Sequence, residues 1–187
     1  DRVPSNYIPN WMLYTTPLFI LLGLALSPIT TFLRRKEGKA LGLFLVAFAG
    51  FFPICYVIYQ QSGLYDAMRH MLFAYCLFPV LAASAWYAVI KMANAKAAKI
   101  AIVVAMVGMM ALPVSYMVRN HPYQYTYFNE LIGGIDGAYK KYESDYWMVS
   151  MKRLCEWYDQ EIAGKNRQDT FIVATNCIYP VRQYLQG

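Results

Sequence analysis

Residues 40–60 read ALGLFLVAFAGFFPICYVIYQ, an apolar run without one charged side chain. About 20 such residues in a helix match the thickness of the hydrocarbon core of a bilayer. Three further runs of similar length and composition lie at about residues 11–33, 71–90 and 100–118. The sequence therefore predicts a mostly α-helical integral membrane protein, with four transmembrane helices in a region that covers residues 1–118.

The overall composition supports the same class of protein. Hydrophobic residues make up 58% of the chain and charged residues only 15%, whereas about 25% of the residues of a soluble domain are charged. A formal net charge of +6 could indicate nucleic-acid binding. However, the basic residues fall in the short links between the apolar runs, where membrane topology places them. We therefore expect membrane lipids as partners and no nucleic acid.

The distribution of Lys and Arg among the links predicts the orientation in the membrane, because basic residues close to a span resist translocation. The N-terminal stretch and the middle link hold one basic residue each, Arg2 and Arg69. The links after the first and third runs hold seven: Arg34, Arg35, Lys36, Lys39, Lys91, Lys96 and Lys99. With four spans, this bias predicts a multi-pass protein with both termini on the extracytoplasmic side. We also expect the chain to be a segment of a longer protein.

The composition changes at Arg119, because residues 119–187 hold eight of the eleven acidic side chains and no long apolar run. A helical pattern covers about residues 143–163. The β-branched run TFIVA at residues 170–174 is typical of a buried strand, and another helix is expected to begin within residues 179–186. The sequence thus predicts an extracytoplasmic interfacial segment followed by a small, incomplete α/β tail.

Arg69 and His70 lie at the start of the third apolar run, preceded by Tyr65 and Asp66. The guanidinium of an arginine offers a two-pronged donor to phosphate oxygens, so this pair is a candidate phosphate site at the bilayer surface. Alternatively, Arg69 reaches toward lipid headgroups and His70 is a polar cap. The spacing of the residues leaves both interpretations open.

Glu143 and Asp145 are paired acids flanked by Tyr146 and Trp147. Two carboxylates beside aromatic rings suit acid–base chemistry or the binding of a carbohydrate. The alternative is structural: acids in the first turn of a helix complement its dipole, and Ser144 could cap that helix. The sequence does not decide between these roles.

The histidines and cysteines predict little further chemistry. His70 and His121 are the two histidines of the chain, and neither has partners at the spacing of a metal site. We therefore expect no metal. Cys155 and Cys177 lie in the tail, where an oxidising compartment could join them, and the sequence leaves their pairing open.

Three stretches resemble bacterial membrane glycosyltransferases of the protein O-mannosyltransferase-like class. SNYIPNWMLYTTPLFILLGL, from Ser5, is similar to the family's Y-x-P-x-W-x-x-x-x-T-P pattern, and LYDAMRHMLF, from Leu64, to its Y-D-x-x-R-H-x-L-F link. HPYQYTYFNELIGGIDGAYKKYESDYWMVSMKRLCEWYDQ, from His121, is similar to its H-P-Y-x-x-x-Y-F-N-x-L-x-G-G run and the following Y-E-x-D-Y-W segment. The order and spacing of the stretches match the family across most of residues 6–158.

The resemblance implies the C-terminal half of a GT-C fold enzyme of the bacterial cytoplasmic (inner) membrane. Such enzymes move a sugar from a polyprenyl-phosphate carrier to an acceptor on the extracytoplasmic side, with no cofactor beyond the lipid-linked sugar donor. By this resemblance, Arg69 and His70 contact the donor phosphate. The residues implied to shape the outer face are Tyr65, Asp66, Glu143, Asp145, Tyr146 and Trp147.

The catalytic acid of that family lies in the first outward loop of the N-terminal half, which these residues do not include, and Asp66 lies in the wrong loop to replace it. No catalytic residue is therefore assigned, and we expect the chain alone to be inactive. Two interpretations stay open. The chain is part of a working glycosyltransferase whose other half is its partner, or it is a non-catalytic structural subunit of a larger membrane complex derived from that family.

Overall fold

The computed structural model describes residues 4–62, 69–145, 147–164, 172–175 and 178–185. These residues form two compact units, Asp1–Ser144 and Asp145–Gly187. The composition change at Arg119 therefore falls inside the first unit. The described α-helices are α1 (Tyr7–Thr15), α2 (Leu18–Leu33), α3 (Ala40–Tyr59), α4 (Leu72–Tyr75), α5 (Leu77–Met92), α6 (Lys96–Arg119), α7 (Gly134–Ala138), α8 (Met151–Tyr158) and α9 (Ile178–Leu185).

Three stretches of helix are long and apolar enough to cross a membrane: Ala40–Tyr59, Arg69–Met92 and Lys96–Arg119. The second comprises a 3-10 turn at Arg69–Met71 together with α4 and α5. The mostly helical class and three of the four predicted runs are thus confirmed as helices of the expected length. Few residues of α3 and α6 are buried within the protein, so their apolar surfaces are available to lipid or to other protein.

The first run, predicted as one helix over residues 11–33, is instead broken into two helices. α1 and α2 meet at a bend of 116°, at which Thr16 is extended with φ −85° and ψ 130°. Pro17 lacks an N–H group, and its ring disfavours a helical conformation for the residue before it. The prediction of one helix over residues 11–33 was therefore wrong about the break at Thr16, whereas the bent pair together is long and apolar enough to count as the fourth predicted span.

α5 lies at the centre of the first unit and packs most extensively against α2, with α3 as its second neighbour. Its buried residues, among them Phe78, Leu81 and Ala85, recur at the spacing of one helix face. α2 approaches closely at Gly23, where an added Cβ would lie 2.6 Å from the Cβ of Ala82. Small residues at such a contact let two backbones approach.

The helices give the first unit two distinguishable ends. The elbow end carries the Thr16–Pro17 bend and the C-terminus of α3, which borders the start of α1 around Ile8 and Ile58. The basic end carries the 3-10 turn Arg35–Glu37 and the C-terminus of α5, where Lys91 Nζ lies 3.9 Å from a Glu37 carboxylate oxygen. α3 runs from one end to the other, a length of about 30 Å for its 20 residues.

In the second unit, α8 begins at Met151 and continues as a π-helical turn, Asp159–Ala163, that ends before Gly164. The helix predicted over residues 143–163 therefore begins about two helical turns after its predicted first residue. α9 spans Ile178–Leu185, which confirms the helix expected within residues 179–186, and it packs against α8.

The strand predicted at residues 170–174 is not found in the part of it that the structure describes. Residues 172–175 are irregular, and Ile172 is 95% exposed. Thr170 and Phe171 lie outside the described residues. A strand needs a neighbouring strand for its backbone hydrogen bonds, and the described residues contain none. The expectation of an α/β tail was therefore wrong for this part of the chain.

We expect the α2–α5 contact to tolerate no added side chain. Gly23→Ala places a methyl group within 2.6 Å of Ala82 and should destabilise the protein by about 1–3 kcal/mol, as overpacking does. Gly108→Ala is the matched control, because a Cβ at Gly108 meets nothing within 4 Å. Thermal unfolding of the detergent-purified protein measures both. Equal unfolding temperatures for the two variants would contradict the close approach of α2 and α5.

A candidate ligand cleft at the elbow

Asn129 is fully buried and binds the end of α1. Its Nδ2 donates to the carbonyl oxygens of Leu13 at 2.6 Å and Thr16 at 2.7 Å. Its backbone N–H donates to the carbonyl oxygen of Tyr14 at 2.7 Å. Its Oδ1 accepts from the N–H of Leu131 at 3.1 Å. The last carbonyls of a helix have no partner within the helix, so Asn129 satisfies them from a distant part of the chain.

Aromatic rings pack beside this hydrogen-bonded junction. Trp11 and Phe128 are both buried, and their ring centroids lie 5.6 Å apart. Tyr142 completes the group, at 5.4 Å from Trp11 in an edge-to-face arrangement and at 5.9 Å from Phe128. Aromatic pairs in this geometry contribute about 0.5–1.5 kcal/mol beyond the area that they bury. The cluster therefore fixes the segment around Phe128 and Tyr142 against α1.

The start of the third span joins the same junction. The Tyr75 hydroxyl lies 2.6 Å from Oγ1 of Thr16. Met71 is buried in the apolar cluster that also contains Trp11 and Phe128. The structure thus brings together, at the elbow end, residues of all three stretches on which the family resemblance rests.

Two tight turns return the chain to α1 after Asn129. Gly133 and Gly134 have φ of +87° and +67°, a conformation that glycine adopts without strain. The backbone N–H of Gly134 donates to the carbonyl of Asn129 at 3.0 Å. At Gly137 an added Cβ would lie 1.7 Å from the Ile132 carbonyl oxygen, so only glycine fits this close approach. Lys140 also has a positive φ, +62°, and residues 141–143 then follow.

These features leave a cleft between α1 and the returning segment. Its volume is about 240 Å³. Three aromatic rings, two amides, one carboxylate and one ammonium group face it. We call it the elbow cleft, and its lining residues are Pro4, Asn6, Tyr7, Asn10, Trp11, Lys141, Tyr142 and Glu143.

The chemistry of the elbow cleft suits a polar ligand with an apolar face. Ligand sites combine hydrophobic and aromatic walls with a few placed polar groups. Burial, and secondarily the neighbouring Tyr14, raises the pKa of the Tyr142 hydroxyl, so this phenol stays protonated at neutral pH and can donate a hydrogen bond. Glu143 is exposed at the cleft and supplies a carboxylate acceptor.

The structure distributes the sequence-predicted residues unevenly. Glu143 lines the elbow cleft, and Arg69 and His70 are exposed in the 3-10 turn that Met71 anchors to the junction. Tyr65, Asp66 and Tyr146 lie outside the described residues, as does Cys177.

Asp145 and Trp147 belong to the second unit, so Glu143 and Asp145 fall on opposite sides of the unit boundary. The Asp145 carboxylate accepts hydrogen bonds from the backbone N–H groups of Val149 and Ser150, both at 3.1 Å, and from the Ser150 hydroxyl. Asp145 therefore binds the backbone immediately before α8, which is a structural role. Trp147 is half exposed.

Sequence reasoning overlooked most residues of the elbow cleft. Asn6 and Asn10 lie four residues apart, as do Tyr7 and Trp11, so both pairs are neighbours on the surface of one helix turn. A polar stripe next to an aromatic stripe at the start of an apolar run was the available signal. The sequence contains no signal for Lys141 and Tyr142, because only the turns after Asn129 bring these two residues to α1.

Among the residues that the structure describes, no three His, Cys, Asp or Glu side chains are grouped as a metal site requires. Comparison with known proteins adds no assignment: no family model, no curated protein and no solved structure matches the chain. The family resemblance thus stays a prediction that rests on the three stretches themselves.

We predict that Asn129→Ala greatly weakens the elbow. The change removes the Nδ2 donor from the carbonyls of Leu13 and Thr16, and the buried Thr16 carbonyl is then left unsatisfied, at a cost of about 1–3 kcal/mol. Asn120→Ala is the control, because Asn120 Nδ2 makes one local bond, 3.0 Å long, to the carbonyl oxygen of Tyr116. Thermal unfolding should separate the variants by more than 5 °C. If Asn129→Ala and Asn120→Ala unfold at the same temperature, Asn129 does not stabilise the bend between α1 and α2.

Proposed function

We propose that this chain is the membrane-embedded C-terminal part of a bacterial glycosyltransferase that binds a polyprenyl-phosphate-linked sugar at its elbow end. One observation carries the proposal: the three separate stretches that resemble the family meet at one junction, where Trp11, Met71 and Phe128 share one buried apolar cluster and Asn129 binds Thr16. The elbow cleft opens directly beside that junction.

The groups at the elbow end match the parts of such a donor. Aromatic rings and amides in the elbow cleft suit a sugar, since rings cover its apolar faces and amides bind its hydroxyl groups. Arg69 and His70, on the anchored turn, supply cationic or polar donors for the phosphate. The polyprenyl chain would lie along the apolar helix surfaces that the protein leaves exposed. Sugar, phosphate and lipid then each have a matching partner.

The placement in the membrane follows from length and charge. The helix α3 is about as long as a bilayer core is thick, and the basic end carries the Lys and Arg residues that favour the cytoplasmic side. We therefore propose that the protein crosses the inner membrane several times, with the elbow end and both termini extracytoplasmic.

The chain supplies binding and positioning in this proposal, and the base that accepts the proton of the acceptor hydroxyl comes from elsewhere. By the family resemblance, a carboxylate in the other half of the enzyme acts as that base. Arg69 and His70 would stabilise the negative charge that develops on the leaving phosphate. No cofactor beyond the lipid-linked sugar is required.

A structural subunit of a larger membrane complex is the second candidate. The observation that favours it is that the contacts of Asn129, Phe128 and Trp11 are interior packing contacts. A non-catalytic relative would need the same contacts to keep its fold. In that case the elbow cleft would bind no lipid-linked sugar.

Photolabelling with a polyprenyl-phosphate mannose that carries a diazirine tests the proposal. We expect saturable labelling of the purified wild-type chain in nanodiscs. Asn10→Ala or Glu143→Gln should weaken binding about tenfold, which corresponds to roughly 1.4 kcal/mol, because each removes a polar group from the elbow cleft. Arg69→Ala should also weaken binding of the sugar-free polyprenyl phosphate, because it removes a phosphate donor.

Glu156→Gln is the matched control for Glu143→Gln, because it removes the same charge from α8, outside the cleft. It should bind like the wild type. Non-saturable labelling, or equal labelling of all variants that keep the wild-type unfolding temperature, would reject the glycosyltransferase proposal in favour of the structural subunit.

A further inference from the structure

A second cavity lies at the basic end, between the end of α2, the start of α3 and the end of α5. Its volume is about 380 Å³. Its lining residues include Thr31, Arg34, Glu37, Lys39, Gly42 and Tyr87. We call it the basic pocket. It shares no residue with the elbow cleft.

One acid, Glu37, holds the guanidinium of Arg34 at the basic pocket. Arg34 binds both carboxylate oxygens of Glu37, with its Nε at 2.8 Å, and its guanidinium lies 5.4 Å from the ring centroid of Tyr87. The hydrogen bond from Arg34 lowers the pKa of the Glu37 carboxyl, so Glu37 stays charged. Lys91 lies 3.9 Å from the same carboxylate.

Positive charge nevertheless exceeds negative charge at this end. Glu37 is the one acid within residues 34–39, which also contain Arg34, Arg35, Lys36 and Lys39. Two hydroxyls beside the pocket already donate within their own helices: Thr30 to Leu26 and Ser84 to Leu81. The positively charged donors among the lining residues are Arg34 and Lys39.

An apolar groove continues from the basic pocket. The groove runs between α2 and α3, has a volume of about 500 Å³, and shares Thr31, Ala40 and Leu43 with the pocket. It extends along α3 as far as Phe51. From Ala40 to Phe51 this is about 17 Å of helix, enough for most of one acyl chain.

We infer that the basic pocket and the apolar groove together form a binding site for an anionic phospholipid. The phosphate would contact Arg34 and Lys39, as charge-assisted hydrogen bonds favour, and one acyl chain would fill the groove down to Phe51. A free phosphate would leave the groove empty. The inference concerns the end of the molecule opposite the elbow cleft and does not depend on the proposed function.

Native mass spectrometry of the detergent-purified chain tests this site with two lipids that share acyl chains, phosphatidylglycerol and phosphatidylcholine. We expect one phosphatidylglycerol molecule to bind at least tenfold more tightly than phosphatidylcholine. Glycerol 1-phosphate at the same concentration should not displace it. No preference between the lipids would overturn the inference, and full displacement by glycerol phosphate would assign the pocket to free phosphate instead.

Gly42→Leu blocks the site without disturbing the helices, because an added Cβ at Gly42 meets no atom within 4 Å. We expect the variant to lose the preference for phosphatidylglycerol. Gly108→Leu is the matched control: it is equally open, makes the same change in helix propensity and lies outside the pocket and groove. Retention of the preference by Gly42→Leu would overturn the inference.

Charge-matched double variants separate a built site from general attraction to a basic surface. Arg34→Gln with Lys39→Gln removes two cations that line the pocket, whereas Lys96→Gln with Lys99→Gln removes two from the start of α6. Only the first pair should lose the preference for phosphatidylglycerol. Equal losses would mean non-specific electrostatics and would overturn the inference. Glu143→Gln should leave the preference for phosphatidylglycerol unchanged, although it weakens binding in the elbow cleft. The two tests are therefore separate.

Discussion

The end of helix α1 sets the arrangement of the first unit. Its last carbonyl groups lie at a bend where Pro17 can donate no hydrogen bond, and a buried one, such as that of Thr16, needs another donor. Asn129 supplies it from 113 residues away. Because this donor is part of the segment after α6, satisfying the bend also fixes Phe128 beside Trp11. The elbow cleft follows from the same constraint, since the glycine turns after Asn129 return Tyr142 to α1.

The two cavities of the first unit differ in chemistry in a way that fits a membrane. The elbow cleft combines aromatic rings and amides, whereas the basic pocket combines cations with an adjoining apolar groove. The packed helices α2 and α5 lie between the two cavities, and they approach each other closely at Gly23 and Ala82. The elbow cleft therefore suits a polar ligand with an apolar face, whereas the basic pocket and its groove suit an anion with an apolar chain.

The sequence predicted the parts of the fold that local composition determines. The uncharged residues 40–60 form one helix of almost the predicted length, whereas the equally uncharged residues 11–33 break at Thr16. The bend at Thr16 was missed because proline alone does not decide it: Pro28, in the same run, lies inside the continuous helix α2. The difference is the distant donor Asn129, which no local pattern shows. The strand predicted at residues 170–174 is absent from the described part of that range, residues 172–174, for a related reason: β-branched residues favour a strand only where a partner strand exists.

The candidate site was predictable in part. Glu143 was chosen for its carboxylate and lies in the elbow cleft, whereas Asp145, chosen for the same reason, binds the backbone before α8. Only the fold distinguishes them. Asn10 was overlooked because an amide in an apolar helix carries no motif.

In the proposed topology, the elbow end and the basic end lie on opposite sides of a membrane. Labelling of single cysteines in intact cells with a membrane-impermeant maleimide tests it most directly, in a chain whose own four cysteines are replaced by serine. Glu130 and Lys36 are both exposed, one at each end. With the elbow end outside and the basic end inside, we expect Glu130→Cys to react in intact cells and Lys36→Cys to react only after lysis. Reaction of both from the same side would contradict it.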